Sequence, residues 1–295
     1  MAKSMTGFGR GVYTDELRSV TVELRSVNHR YSDITVKMPR RYQFAEDTIK
    51  NIVKGVAPRG KIDVFVNVDN IAADDTAVEL NIPLAKRYFE TLQTIKEEMP
   101  QLSGEPTLAM IANFPDVVKS AAAEEDEELV LKALTEAAKD AAANLDAMRI
   151  TEGAKLMEDI LQRGELIEKT VCGIEVYAPE VAKNYAAKMK ERIQELLGDE
   201  ATIPEDRIVL EAAVFADKSN ITEEMVRLKS HCSQLKSIAA DTSGPIGKKL
   251  DFLVQEMNRE SNTIGSKAND IRITNDVLLL KAEIEKIREQ VQNIE

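Results

Sequence analysis

The sequence predicts an α+β protein: a small mixed α/β-sheet domain at the N-terminus, then a bundle of long, coiled-coil-like helices. Three observations carry this. Stretches within roughly the first 70 residues alternate apolar and polar side chains, the mark of strands with one buried face. From about residue 127 onward, apolar residues instead step by three, four or seven, the spacing of helical seams. Aromatic residues make up only 4% of the chain and Trp is absent, which suits aliphatic helix seams better than an aromatic-rich sandwich.

The strands come first. In "SVTVELRSV", Val20, Val22 and Leu24 alternate with Thr21, Glu23 and Arg25. In "DITVKMP", Ile34, Val36 and Met38 alternate with Thr35 and Lys37. In "KIDVFVNVD", Ile62, Val64, Val66 and Val68 repeat the pattern. Between the last two, Phe44, Ile49, Ile52, Val53 and Val56 have helical spacing, and Pro58-Arg59-Gly60 forms a turn. The order is strand, strand, helix, strand, an α+β layer. The glycine-rich "MTGFGRG" lacks a following helix and a Lys-Ser/Thr pair. Glycines in a crowded strand are therefore a better reading than a phosphate loop.

Residues 81–99 read as a helix with Asn81 as N-cap. A Pro/Gly-marked loop, "MPQLSGEPT", leads to another helical stretch, and "AAAEEDEELV" is an acidic lead-in to a helix beginning near Glu127. The domain division is thus 1–120 and 121–295. Leu156, Ile160, Ile167, Val171, Ile174, Ala178, Val181 and Tyr185 suggest a helix of unusual length, reaching Leu197 and ended by Gly198, with Pro179 as a candidate kink. A second seam is Ile221, Met225, Leu228, Cys232, Leu235; a third is Val277, Leu280, Ile284, Ile287, Val291, Ile294. These seams pack on each other or on another subunit.

The formal net charge is −12, which argues against a protein that coats nucleic acid. The charge is uneven. Residues 1–63 hold 12 Lys/Arg against 7 Asp/Glu, a local +5, and the rest is −17. A basic N-terminal part can still hold an anionic polymer. No apolar run reaches a membrane span and no secretory signal opens the chain, so a cytoplasmic protein is expected. Cys172 and Cys232 fall at seam positions and read as reduced, buried thiols, with a disulfide as the alternative.

Candidate chemistry concentrates in "LDFLVQEMNRESNTIGSKAND". At 100° per residue, Leu250, Leu253, Val254, Met257 and Ile264 form a buried arc. Asp251, Gln255, Asn258 and Asn262 gather opposite, with Glu256 and Glu260 between the two groups. Amides offer donors and acceptors in fixed geometry. Two carboxylates one turn apart can share a divalent cation or divide acid and base roles; equally, they can be ion pairs with Lys248, Lys249 and Arg259. In "ITEEMVRLKSH", Glu224, Arg227 and His231 form a stripe beside the apolar seam. His231 can ligate a metal or move a proton, or simply pack there. In "RSVNHRYSD", His29 and Arg30 sit where a loop can present them, and Arg40, Arg41 and Arg59 add cationic groups. Arg suits phosphate and His suits an unpaired base; a polar hairpin loop is the plainer alternative.

Together "SMTGFGR", "ELRSVNHRY", "PRGKIDV", "EEMVRLKSH", "GKKLDFLVQEMNRESNTIGSKA" and "EIEKIREQVQNIE" resemble the YicC/YloC family of bacterial proteins, over nearly the whole chain. The resemblance implies a cytoplasmic, metal-dependent endoribonuclease in a ring-like homo-oligomer, a hexamer. Within the matching motifs the roles are read from residue chemistry: Glu256 and Glu260, with Glu224 from the facing helix, are the expected ligands of a divalent cation, Mn²⁺ or Mg²⁺. His231, Glu224 and Arg259 are the expected catalytic set. Arg227, Lys267, Gln255, Asn258 and Asn262 join His29, Arg30, Arg40, Arg41 and Arg59 as expected RNA contacts. The rival class is a non-catalytic RNA-binding adaptor, which needs no carboxylate-bound metal. A purely structural coiled-coil oligomer leaves the basic N-terminal part without a purpose.

Overall fold

The structure, a computed structural model, describes residues 2–71, 76–122, 125–197, 205–241 and 244–295. It has the α+β architecture expected. Strands β1 (Gly7–Thr14), β2 (Arg18–Val27) and β3 (Ser32–Lys37) come first. A 3-10 turn over Arg40–Ala45 leads into helix α1 (Glu46–Val56), followed by β4 (Gly60–Asn70). The sheet order is β1-β2-β4-β3. β2 runs antiparallel to both neighbours, while β3 pairs parallel with β4, so α1 is the crossover between them. Val20, Val22, Leu24, Ile62 and Val64 are fully buried against Ile49 and Val53 of α1.

The strand β1 precedes the three with clear alternation. Its inward positions are glycines, and a long helix lies directly on it. A Cβ on Gly9 would come within 2.2 Å of the Ala141 carbonyl oxygen, and one on Gly11 within 2.2 Å of that of Ala137. The crowded-strand reading of "GFGRG" therefore holds.

An excursion follows: β5 (Thr76–Leu80), α2 (Ile82–Glu98), α3 (Leu108–Ala112) and β6 (Val118–Ala122). The β5–β6 pair was not expected; its second strand occupies the start of the acidic lead-in. The Asn81 side chain accepts from the Leu84 N–H, as its N-cap position predicts. Neither α2 nor α3 has a buried residue.

Helix α4 (Glu127–Leu197) has 71 residues and runs through Pro179; at about 1.5 Å per residue it spans on the order of 100 Å. The expected stop at Gly198 lies outside the described residues. Ala133, Leu134, Ala137, Ala141 and Leu145 near its start complete the sheet's core. Farther along, Ile160, Ile167, Val171 and Ile174 enter a second core with α6 (Thr222–Ala240), α7 (Gly247–Lys267) and α8 (Ile271–Val291). Helix α5 (Glu205–Lys218) joins through Phe215, stacked 3.6 Å from Tyr185. The three seams pack on each other, so they are not the surface that would hold separate copies together. Cys232 is buried as expected, but Cys172 is exposed. Val171 takes the seam position, and the next residue is rotated about 100° away.

The chain ends tie the two cores together. The Met5 N–H donates to the Asn293 carbonyl at 2.8 Å, and the Ser4 N–H to that of Arg149 at 2.9 Å. Arg149 is completely buried; its Nε donates to the Ser4 carbonyl and its guanidinium pairs with Glu295. Among the described residues, no helix is long and apolar enough to cross a membrane.

Candidate nucleic-acid interface and reaction site

Helix α7 lies between α6 and α8 with its polar face outward. Going around that face, the amides come first, then Arg259, then Glu256, Lys267 and Glu260, which is the order a 100° step dictates. The amides pair along the helix. Gln255 donates to Asp251 Oδ2 at 3.0 Å, and Asn262 donates to Asn258 Oδ1 at 2.8 Å. This holds the row in register and leaves Gln255 Oε1, the Asn258 amino group and Asn262 Oδ1 directed at solvent with hydrogen-bonding capacity to spare. A groove of about 430 Å³ runs beside them, lined by Gln255, Asn258, Arg259, Asn262 and Thr263 on one wall and Arg288 of α8 on the other. Arg259 is 73% exposed and reaches no closer than 4.0 Å to Glu256, so its guanidinium is available to a ligand.

The groove continues past Gln255 and Arg288 into a second cleft of about 440 Å³. Here α7 and α8 meet the loops of the sheet domain, and Asn28, Arg30, Arg59 and Lys248 join the lining. Asn28 anchors its loop by donating to the Gln292 carbonyl at 2.7 Å.

On the opposite flank, α7 packs on α6 and the polar groups become buried. Glu260 is 4% exposed and Glu224 7%. Lys267 donates to Glu224 Oε1 at 2.8 Å and to the Asn220 carbonyl at 3.1 Å. Arg227 lies 3.4 Å from Glu260 and also pairs with Glu223. Burial alone would push the Glu224 carboxyl up; the Lys267 hydrogen bond, its own backbone N–H and the nearby cations outweigh this and hold it below the usual glutamate range. Two buried atoms on this seam, Glu224 Oε2 and His231 Nδ1, have no hydrogen-bond partner among the described residues; the same is true of Ser261 Oγ, about 100° around α7 from Glu260. Buried polar atoms are rarely left so, and such groups are candidates for meeting a ligand.

The expected residues therefore divide. Glu224, Arg227, His231, Glu260 and Lys267 share the α6–α7 seam. Gln255, Asn258, Arg259 and Asn262 share the groove, and Arg30 and Arg59 line the adjoining cleft. His29 stays outside the lining, its ring 6.3 Å from that of Tyr31 in an edge-to-face contact. Arg40 and Arg41 line neither groove nor cleft. Arg41 is held 3.0 Å from Glu125 and over the Tyr42 ring. Each of the carboxylates Glu224, Glu260 and Glu256 has a cation beside it, Lys267 at 2.8 Å, Arg227 at 3.4 Å and Arg259 at 4.0 Å. Among the described residues, no group of three or more His, Cys, Asp or Glu could hold a metal ion.

Two family models cover most of the chain: "Endoribonuclease YicC-like, N-terminal region" matches residues 2–158, and "Endoribonuclease YicC-like, C-terminal" matches 174–295. The chain belongs to the YicC-like family. It is 47% identical to the probable endoribonuclease YicC of Clostridioides difficile (strain 630), over all of both chains. It is 31% identical to the probable endoribonuclease YicC of Haemophilus influenzae (strain ATCC 51907 / DSM 11121 / KW20 / Rd), again over all of both. Within this YicC-like chain, Lys248, Asn28 and Arg288 line the cleft, a placement that the sequence alone did not suggest. Arg288 lies within "EIEKIREQVQNIE", but on a helix whose charged face looks ordinary until the fold sets it opposite Gln255.

Proposed function

We propose that this protein is an endoribonuclease that cleaves phosphodiester bonds in RNA at the α6–α7 seam. The observation that carries the reading is the single polar face of α7. It runs from solvent-facing amides and an available arginine to a buried seam with an unpartnered carboxylate oxygen and an unpartnered imidazole nitrogen. The names of the relatives point the same way.

In this reading each residue type has a task. Arg259, with Lys267 and Arg227, neutralises phosphate charge as it builds up during cleavage. His231 transfers a proton, since an imidazole can both accept and donate near neutral pH. Glu224 orients Lys267 and offers Oε2 to the reacting groups. The amides bind ribose hydroxyls and base edges, where fixed donors and acceptors read more than a lysine can.

A divalent cation, Mn²⁺ or Mg²⁺, is the further part of the proposal, and it rests on family resemblance. Glu224, Glu256 and Glu260 are its candidate carboxylates, and no step is assigned to the ion. A ring-like homo-oligomer, a hexamer, and a cytoplasmic location are proposed on the same ground. The α2–α3 lobe supports self-association: Leu108 is 89% exposed beside a groove of about 440 Å³ lined by Leu80, Ile82, Phe89 and Ile111.

The test is incubation of the pure protein with end-labelled RNA, alone, with chelator, and with Mn²⁺ or Mg²⁺ restored. Internal cleavage lost on chelation and regained with metal supports the whole proposal. Cleavage that ignores the chelator removes the ion. RNA bound tightly and left intact in every condition favours the non-catalytic adaptor.

A further inference from the structure

The cleft between the two cores is cationic and is not used by the chemistry assigned to the α6–α7 seam. Arg30 reaches it from the β2–β3 loop, Arg59 from the α1–β4 loop, Lys248 from the first turn of α7 and Arg288 from α8. Four cations thus share about 440 Å³ with one carboxylate, Asp251, which already accepts from Gln255. Among the described residues, Arg30, Arg59 and Lys248 have no carboxylate partner. Arg288 reaches only Glu285 on its own helix, at 3.4 Å. Arg59 Nε is buried with no hydrogen-bond partner among the described residues. Helix α7 starts at this cleft with Ile246 as its cap and no side chain accepting its first N–H groups, so its positive end adds to the field. Some cations elsewhere on this acidic chain are paired, as Lys229 is with Glu175 and Lys236 with Glu168; what sets these four apart is that they converge on one concavity. A concave surface that gathers unpaired cations of this number is complementary to an anion.

We infer that this cleft is an anchor for a backbone phosphate of RNA, remote from the bond cleaved at the α6–α7 seam. The inference rests on the endoribonuclease reading for the identity of the polyanion. Continuity supports it: Gln255 and Arg288 belong both to this cleft and to the amide groove, so one strand can lie along both. The anchor bridges the two cores, with Arg30 and Arg59 from the sheet domain and Lys248 and Arg288 from the bundle. It assigns binding roles to Lys248 and Arg288, two exposed side chains whose removal leaves both cores untouched.

The experiment is equilibrium binding of a fluorescent single-stranded RNA across a salt series, with RNA integrity checked on a gel. It compares wild type, the Lys248→Ala/Arg288→Ala double variant and the control Lys236→Ala. Each phosphate contact on a single strand contributes about 0.7 to the slope of log affinity against log salt. The double variant is expected to bind about tenfold or more weakly, with a slope shallower by about 1.4, and to melt with wild type; Lys236→Ala is expected to match wild type. Wild-type affinity and slope in a folded double variant overturn the anchor while leaving the endonuclease reading intact. Binding with the expected salt slope but no cleavage by wild type sinks the endonuclease reading and keeps the anchor. No RNA binding by wild type overturns both. Circular RNA and linear RNA with 5′-phosphate or 5′-hydroxyl separate the two sources of phosphate. Equal losses on all three place a backbone phosphate in the cleft. A loss confined to the 5′-phosphorylated strand overturns the backbone assignment in favour of a terminal phosphate.

Discussion

Replacing Glu224 by Gln separates the structural work of this residue from its proposed chemical work. Glu224 is 7% exposed, with Oε1 accepting from Lys267 and Oε2 without a partner among the described residues. Gln keeps an acceptor for Lys267 but removes the charge, turning a charge-assisted hydrogen bond into an ordinary one. Charge-assisted bonds contribute about 1.5–3 kcal/mol and neutral ones about 1 kcal/mol. Lys267 is 35% exposed and can turn toward water, which reduces the loss. The expected cost is about 1 kcal/mol, or roughly 2–4 °C in melting temperature for a chain of this size.

Acid changes that gap in a known direction. The folded Glu224 carboxyl titrates below its ordinary value of 4.5. Its contribution is therefore complete above that value and is lost as pH falls through the lower folded value. The melting difference between wild type and Glu224→Gln should be largest near neutral pH and shrink toward pH 3. Single-turnover cleavage at neutral pH then decides the chemical role. If Oε2 meets the reacting groups, the rate falls by about a hundredfold or more, equivalent to about 2.7 kcal/mol, far beyond the stability change. A wild-type rate would restrict Glu224 to a structural part, and a melting gap that widens in acid would refute the assigned charge state.

Three further outcomes follow from the geometry. Gly9→Ala should cost about 3 kcal/mol or more in urea unfolding, because its Cβ would sit 2.2 Å from the Ala141 carbonyl on a helix that cannot shift freely; a near-neutral result would mean that β1 and α4 do not touch. In native protein a thiol reagent should label Cys172 and spare Cys232, whose thiol is buried and pushed up to about 12; equal labelling rates would contradict the packing of α6. His231→Ala should slow cleavage and flatten its pH profile, while leaving RNA affinity near wild type; an unchanged pH profile would remove His231 from proton transfer.

The bundle was legible because its seams are aliphatic and strictly spaced. Leu228, Leu280 and Ile284 announce their own burial by position. Strand β1 was legible only through its glycines, which read as those of a crowded strand. Its core-facing positions are glycines, chosen by the close approach of α4, and they carry no hydrophobic signal. The β5–β6 pair is short and ends in alanines beside acids, which resembles a helix start. The α7 face stood out because amides are unusual on a solvated helix. Arg40 and Arg41 could not be separated from Arg30 and Arg59, because net charge says nothing about direction. Glu125, more than 80 residues away in sequence, claims Arg41. The cleft was invisible for a related reason: Arg30, Arg59, Lys248 and Arg288 come from four segments that meet only in the folded chain.

The meeting of those segments depends on the chain ends. Helix α4 serves both cores, but a single helix can bend and twist between the units it connects. The Ser4 and Met5 backbone bonds to Arg149 and Asn293 add a second connection, and Arg149 fastens it by contacting Ser4 and Glu295 from a fully buried position. Asn28, bonded to Gln292, adds a third at the lip of the cleft. Arg149→Met keeps the length of the side chain but leaves Glu295 and the Ser4 carbonyl unpaired. Removing one partner of a buried pair typically costs about 3–5 kcal/mol, at the upper end when the remaining charge stays buried; Glu295 is partly accessible and lowers the figure to about 2–3 kcal/mol. The cores should survive with their helices intact, since none of their apolar contacts is touched. What changes is how firmly Arg30 and Arg59 face Lys248 and Arg288. RNA affinity should therefore fall in Arg149→Met although Arg149 lines neither groove nor cleft. Far-ultraviolet circular dichroism and the salt-dependent binding assay measure the two effects side by side. Wild-type affinity in a variant with a lower melting temperature would mean that the cleft does not rely on the clasp of the termini.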